Sequence, residues 1–129
     1  MPSEKRKFGD LGEKIASNFL KRSKHKIVEI NYLKRIGEID IISKKKNILH
    51  FIEVKTRTQQ SAEKYGLPEE AIASHKQKKI VKTAQYYLLE NKYSDDIQWQ
   101  IDVIAITINE NKTKAKINYI ENAINYESF

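Results

Sequence analysis

The chain has 129 residues, and its 24 Lys and Arg against 17 Asp and Glu give a net charge of +7. It contains no cysteine, which excludes disulfides, thiolate metal sites and a cysteine nucleophile. No apolar run approaches the roughly 20 residues that cross a bilayer, and the N-terminus lacks the apolar segment of a signal peptide. We expect one cytoplasmic domain over residues 1–129, with its core at about 8–107. The basic excess favours a nucleic-acid partner over an anionic membrane.

Helix and strand patterns follow one another in the first half of the chain. Apolar and small residues at helical spacing from Phe8 to Phe19 predict a first amphipathic helix. Three segments rich in Ile and Val then predict an antiparallel meander of strands at 26–32, 38–43 and 48–57. The polar stretch 58–68, which ends in Pro68, predicts a loop.

A second helix and two further strands follow. Ser74 and Gln77 match a capping box, and helical spacing continues to Asn91. The segment 99–107 is apolar on both faces in its second half, as is typical of a buried strand after a crossover helix, and a last strand is predicted at about 115–120. The pattern predicts an α/β domain with a mixed central β-sheet flanked by helices, in the order αβββαβ.

Two pairs of charged residues on the second and third strands carry the functional signal. Glu38 and Asp40 lie two residues apart, as do Glu53 and Lys55, so each pair should share one face of its strand. The isoleucines and Val54 between them should then face the other way. If the strands are neighbours, acids from both meet beside one ammonium group.

Oxygen ligands in this arrangement suit a hard divalent cation such as Mg²⁺ or Mn²⁺. Asp40 and Glu53 are the predicted ligands, with the Val54 carbonyl as a third. A bound metal polarises a scissile phosphate and lowers the pKa of a water, and Lys55 can orient that water or stabilise the developing charge. Glu13 is the one charge on a helix stripe of small residues, and could hold a second metal or a metal-bound water.

Other residues receive less specific roles. Glu38 and Asp102 are predicted to support the site, with a solvent-facing position as the alternative for Asp102. The basic residues predicted to contact nucleic-acid phosphates are Lys34, Arg35, Arg57, Lys76 and Lys79. The alternative for the helical lysines is a solvated helix face. The three histidines, His25, His50 and His75, lack metal-ligand spacing and are predicted to be ordinary surface or partly buried residues.

Four ordered motifs carry a resemblance to a known family: Gly9-Asp10-Leu11-Gly12-Glu13, Asn31-Tyr32, Gly37-Glu38-Ile39-Asp40 and Phe51-Ile52-Glu53-Val54-Lys55. Together they resemble the YraN-type family of the PD-(D/E)XK superfamily, which is similar to Holliday-junction resolvases. The resemblance implies a restriction-endonuclease-like fold, in which Asp40, Glu53 and Lys55 take the positions of the core triad and Glu13 that of the helical acid. A Glu-Ile-Asp element replaces the superfamily's Pro-Asp.

By that resemblance we expect Mg²⁺- or Mn²⁺-dependent hydrolysis of DNA phosphodiesters, with branched DNA as one candidate substrate. The oligomeric state is open, with a homodimer as one candidate because resolvase-like nucleases often pair two sites in this way. The alternative is a nucleic-acid-binding or complex-forming protein that keeps the fold without turnover. RNA is also open as the ligand, because nothing in the sequence reads a 2′-hydroxyl. For the charged residues themselves, the competing interpretation is a structural ion-pair network.

Overall fold

The computed structural model describes residues 3–66 and 72–125. In chain order its elements are α1 (Glu4–Arg22), β1 (Lys26–Lys34), β2 (Gly37–Lys45), β3 (Ile48–Thr58), α2 (Gln59–Tyr65), α3 (Ser74–Glu90), β4 (Gln98–Ile108) and β5 (Ala115–Ile120). The five strands form one sheet in the order β1-β2-β3-β4-β5. Only β3 and β4 pair in parallel among these strands, because α3 carries the chain back across the sheet between them. The predicted mixed sheet, meander and crossover are confirmed.

Helices cover both faces of the sheet. The core under α1 consists of Ala16, Leu20, Ile41, Ile52, Ile104, Ile106 and Ile108. The core under α3 includes Tyr32, Ile39, Ile42, Phe51, Ile80, Val81, Ala84, Tyr87 and Ile101. β3 and β4 contribute to both cores because their alternate residues point to opposite faces, and this placement explains their high Ile and Val content.

A glycine sets the distance between α1 and the sheet. A Cβ built on Gly12 would lie 2.0 Å from Oγ1 of Thr56, so the helix packs directly over β3 at this point. A Cβ on Gly9 would meet nothing within 4 Å. The stripe predicted to approach the sheet on α1 was Gly9, Glu13, Ala16 and Leu20. Ala16 and Leu20 are buried as expected, but the closest approach is at Gly12, outside this stripe, and Gly9 has no steric role. Because Glu13 follows Gly12, the close approach also brings Glu13 near the strands.

Two local predictions are wrong. Residues 59–65 form α2 and not a loop, because the hydroxyl of Thr58 caps the helix by accepting a hydrogen bond from the amide of Ser61 at 3.0 Å. Pro68 lies outside the described residues. At α3 the N-cap is Ala73, without a side-chain hydrogen bond, and Ser74 is already helical. The side chain of Gln77 donates instead to the carbonyl of Ile72 at 3.1 Å.

No helix within residues 3–66 and 72–125 has the length and apolar character needed to cross a membrane.

Candidate metal centre

Asp40 lies where the ladder between β2 and β3 ends. The two strands pair from Lys45 with Ile48 as far as Ile41 with Ile52. One residue further, Oδ2 of Asp40 accepts a hydrogen bond from the amide of Val54 at 2.8 Å. A side-chain carboxylate thus takes the place of a backbone carbonyl on the edge of β3, which lets β2 diverge.

The alternation of β2 breaks at the same residue. Ile41 packs in the core under α1, whereas Ile39 packs with Ile42 in the core under α3. On the neighbouring β1, Asn31 has a left-handed backbone with φ of 55°, and the pairing with β2 passes over Asn31 and Asp40. The prediction that the isoleucines face away from the acids is therefore wrong for Ile39, which packs on the α3 side.

Glu53 and Lys55 extend from β3 towards α3, on the same face as Phe51. Glu53 is 5% exposed, and its Oε1 lies 3.6 Å from Nζ of Lys55. A second ammonium comes closer, because Nζ of Lys76 in the first turn of α3 lies 2.8 Å from the same oxygen. The predicted neighbourhood of Glu53 and Lys55 is present, and the sequence placed Lys76 only among the phosphate contacts.

Glu13 approaches from α1 on the other side of the sheet. Its Oε1 is buried without a hydrogen-bond partner in the described structure. Burial raises the pKa of Glu13, and the charges of Asp10 and Glu38 raise it further. Glu13 and Glu38 both line an open groove of about 380 Å³ that Asn31 also borders. A buried carboxylate oxygen without a donor is costly unless a cation or another ligand pairs with it.

Burial and the neighbouring acids disfavour the charged form of Asp40. Burial raises its pKa to about 8, with Glu53 as the next cause and Glu13 and Glu38 adding to it, while the hydrogen bond from Val54 opposes the shift. We call Glu13, Asp40 and Glu53 the acidic centre. Its oxygens are the ligand type that Mg²⁺ and Mn²⁺ prefer, and a divalent charge would remove the repulsion. By donor type, Asp40, Glu53 and Glu13 are the residues that could hold such an ion. In the described structure their oxygens do not all lie within 4.8 Å of one another, so the meeting of acids expected from the sequence is looser than one shared ion requires.

The other predicted site residues lie at different distances from this centre. Glu38 is exposed at the groove beside Glu13. Arg57 is half-buried two residues beyond Lys55 on β3, and Lys79 is exposed one turn beyond Lys76 on α3. These positions leave Arg57 and Lys79 near the acidic centre, as a phosphate contact requires.

Lys34 and Arg35 are placed less favourably. Nζ of Lys34 lies 3.1 Å from Oε2 of Glu90, the last residue of α3, and 5.2 Å from the ring centre of Tyr32. Glu90 lies 14 residues along the helix from Lys76, a rise of roughly 21 Å. The ammonium of Lys34 thus lies at the C-terminal end of α3, far from Lys76 and the acidic centre. Arg35 is exposed in the turn between β1 and β2.

Asp102 belongs to a different group of polar residues. It is fully buried and accepts hydrogen bonds from Nδ1 of His50 at 2.6 Å, from the side chain of Gln100 and from the amide of Asn122, both at 2.8 Å, and from the hydroxyl of Tyr119. Burial alone would raise the pKa of Asp102, but the hydrogen bonds from His50 and Tyr119 bring it below its usual range. The solvent-facing alternative is therefore wrong, because Asp102 is fully buried. Its hydrogen bonds belong to this separate group, and its support of the acidic centre stays a prediction.

The histidines extend the same group. His25 is buried, its Nδ1 lies 2.9 Å from Oγ of Ser43, and its ring centre lies 4.7 Å from that of His50. Burial is the largest cause that lowers the pKa of His25 to about 4. We call His25, His50, Asp102 and Tyr119 the histidine network. The prediction of ordinary surface or partly buried histidines is wrong for His25 and His50, which are both buried. His50 lies on β3 between β2 and β4, and His25 packs against it from the residue before β1.

The histidine network also has the tightest clustering of ligand atoms. Among the described residues, the acids and histidines whose ligand atoms all lie within 4.8 Å of one another are His50, Asp102 and the exposed Glu121. The acidic centre is wider than this. Yet both oxygens of Asp102 already accept hydrogen bonds from protein donors, so the network is satisfied without a metal, and its role is structural.

Comparison with known proteins identifies the family. Residues 12–106 match the model of a family described as Uncharacterised protein family UPF0102. The chain belongs to the UPF0102 family. A UPF0102 protein of Caldanaerobacter subterraneus subsp. tengcongensis is 44% identical over 120 residues, which cover 92% of this chain and 95% of that relative. UPF0102 proteins of two Clostridium botulinum strains are 42% and 43% identical over 115 residues, 89% of this chain and 91% of each relative. The YraN-type resemblance is thus confirmed, and the UPF0102 match includes all three acids of the acidic centre.

Proposed function

We propose that this UPF0102 protein is an endonuclease that hydrolyses DNA phosphodiesters with Mg²⁺ or Mn²⁺. The observation that carries the proposal is the acidic centre at the divergence of β2 and β3. There burial, and next the charge of Glu53, raise the pKa of Asp40 to about 8. The ammonium groups of Lys55 and Lys76 lie 3.6 and 2.8 Å from Oε1 of Glu53. Buried acids with perturbed pKa values next to lysines are typical of catalytic sites.

The residues of the centre have separate tasks in this proposal. Asp40 and Glu53 hold the metal, Glu13 adds a ligand from α1, and the Val54 carbonyl stays a predicted backbone ligand. The metal supplies charge neutralisation at the phosphate and an activated water. Lys55 is poised for proton transfer or phosphate binding, because burial and the neighbouring Lys76 lower its pKa below that of an exposed lysine.

A basic surface beside the centre supports DNA as the substrate. The chain carries a net charge of +7, and Arg57 and Lys79 lie near the acidic centre on β3 and α3. Phosphate contacts from such residues attract any nucleic acid without reading its sequence. A preference for branched DNA, the homodimer and the cytoplasmic location stay predictions.

A cleavage panel tests the proposal. End-labelled single-stranded, duplex, flap and four-way-junction DNA would be incubated with the protein in Mg²⁺, Mn²⁺ or EDTA. We expect cleavage of at least one substrate with metal and none in EDTA. Glu53→Ala and Lys55→Ala should lose cleavage while they keep DNA binding, which a gel-shift assay measures.

Two outcomes would contradict the proposal. Equal cleavage by wild type and both variants, with or without metal, would place the activity outside this centre. Salt-sensitive DNA binding without hydrolysis of any substrate would favour the alternative, a nucleic-acid-binding protein on the same fold.

A further inference from the structure

Lys76 is the nearest cation to the acidic centre, and it comes from outside the motif that carries Glu53 and Lys55. Its Nζ lies 2.8 Å from Oε1 of Glu53, against 3.6 Å for Nζ of Lys55. Both ammonium groups therefore share one oxygen of a carboxylate that is 5% exposed. The closer one comes from the first turn of α3, outside the strand that carries Glu53 and Lys55.

The position of Lys76 is unfavourable for the helix alone. Lys76 is the third residue of α3, and the first turn contains no acid to offset its charge. A cation near a helix N-terminus opposes the helix dipole, and Ala73 provides no side-chain cap. The contact with Glu53 compensates for this, since it neutralises a carboxylate that would otherwise be buried with too little positive charge around it.

A metal ion at the acidic centre would share Glu53 with this ammonium. A divalent cation binds carboxylates directly, and the charge of the ammonium of Lys76, 2.8 Å from Oε1, weakens the attraction of that carboxylate for a second cation. A metal bound to Glu53 would in turn repel the ammonium and favour its displacement. The side chain of Lys76 is 40% exposed, so it has solvent to move into.

We propose that Lys76 is an internal counter-ion that competes with the metal for Glu53 and is released towards substrate phosphate when the metal binds. This inference rests on the proposed function, because it assumes that the acidic centre takes a divalent cation. Once released, Lys76 joins Lys79, which is exposed one turn further along α3. Metal binding would thereby add one positive charge to the surface that contacts DNA.

Metal titration of purified protein tests the competition directly. The Mn²⁺ affinity of wild type, Lys76→Gln and Lys82→Gln would be measured by calorimetry in the absence of DNA. Lys82 is the matched control, since it is an exposed lysine on the same helix. We expect Lys76→Gln to bind Mn²⁺ at least about 5-fold more tightly than wild type, and Lys82→Gln to change the affinity less than about 2-fold.

A spectroscopic measurement follows the release itself. In protein labelled with ¹³C at lysine, the side-chain signal of Lys76 is identified by its loss in Lys76→Gln. It should shift when Mg²⁺ is added to wild type and stay in place in Glu53→Gln. In the presence of metal, Lys76→Gln should also bind duplex DNA more weakly than wild type, so that metal affinity and DNA affinity change in opposite directions.

The outcomes separate this inference from the proposed function. If wild type binds Mn²⁺ and Lys76→Gln binds it no more tightly than Lys82→Gln does, the competition is wrong and the metal centre stands. If neither wild type nor Lys76→Gln binds Mn²⁺, both proposals fail.

Discussion

The acidic centre and the histidine network are both polar groups packed against one sheet, but the pKa values of their carboxyl groups are shifted in opposite directions. Asp102 accepts hydrogen bonds from four protein donors, and the pKa of Asp102 is lowered. In the acidic centre the pKa values of Asp40 and Glu13 are raised, and one oxygen of Glu13 has no partner in the described structure. A buried group satisfied by the protein contributes to stability, whereas a buried group left unsatisfied indicates a missing ligand.

Asp40→Asn should show the largest effect. We expect cleavage to fall at least about 100-fold, because one metal ligand loses its charge.

The same substitution should increase the stability of the metal-free protein at alkaline pH. The folded pKa of about 8 lies above the ordinary 3.8, so ionisation of Asp40 removes stability from the metal-free wild type as pH rises from about 4 to 8. Thermal unfolding in EDTA should show Asp40→Asn to be more stable than wild type at pH 8 and similar at pH 4. A variant less stable at pH 8 would contradict the raised pKa.

Asp102→Ala should be the most destabilising change in the histidine network. It leaves the buried His50 and the half-buried Tyr119 and Gln100 without their acceptor, at an expected cost of about 3 to 5 kcal/mol in the free energy of unfolding. Urea denaturation measures this. In the same assay at pH 8 without metal, Asp40→Asn should lose little stability or gain some, because it removes a carboxylate whose ionised form is opposed by burial and by the charge of Glu53. Equal losses of unfolding free energy in both variants would contradict the distinction between a satisfied histidine network and an unsatisfied acidic centre.

Gly12→Ala should cost about 1 to 3 kcal/mol of stability, since its Cβ would overlap Oγ1 of Thr56. Gly9→Ala is the control on the same helix, where a Cβ meets nothing within 4 Å, and it should be neutral or slightly stabilising. Thr56→Ala in the Gly12→Ala background should restore part of the loss. Displacement of α1 would also move Glu13, so metal affinity should fall with Gly12→Ala and not with Gly9→Ala.

The smallest expected effect is the acid sensitivity of His25. Its folded pKa of about 4 lies below the ordinary 6.5, so the stability that it contributes is present above pH 6.5 and is lost as the pH falls towards 4. The loss should reach about 1 kcal/mol at pH 5.5. His25→Asn should flatten the pH dependence of unfolding over this range. An unchanged slope would mean that His25 is not buried in its neutral form.

The sequence predicted the elements whose signals are local. Within residues 3–66 and 72–125, period-two and period-3.6 patterns located the five strands and the two long helices, and the strand at residues 115–120 has the predicted bounds. The helix α2 was missed because Gly66 and Pro68 indicated a loop more strongly than the short cap at Thr58 indicated a helix. Polar composition cannot distinguish a short helix capped by a single threonine from an irregular segment.

For the sites too, local sequence patterns predicted some residues, whereas contacts between distant segments could not be predicted. Asp40, Glu53 and Lys55 could be predicted because strand periodicity and the order of the motifs constrain them. The histidine network depends on pairing across three strands, which brings Ser43, His50 and Gln100 into register although they lie 57 residues apart in sequence. Lys76 reaches Glu53 only because α3 crosses over the sheet. Contacts between distant segments need the fold before they can be recognised.

Asn31 has a consequence beyond the position of Asp40. β1 is an edge of the sheet, and it exposes Val28, Ile30 and Leu33. A long regular strand of this kind offers its free N–H and C=O groups as a template on which another chain can add, which is a common start of aggregation. The left-handed backbone at Asn31 interrupts that row in its middle. Asn31, at which the pairing of β1 with Asp40 is interrupted, thus also makes the exposed edge of β1 a poor template for the addition of another strand.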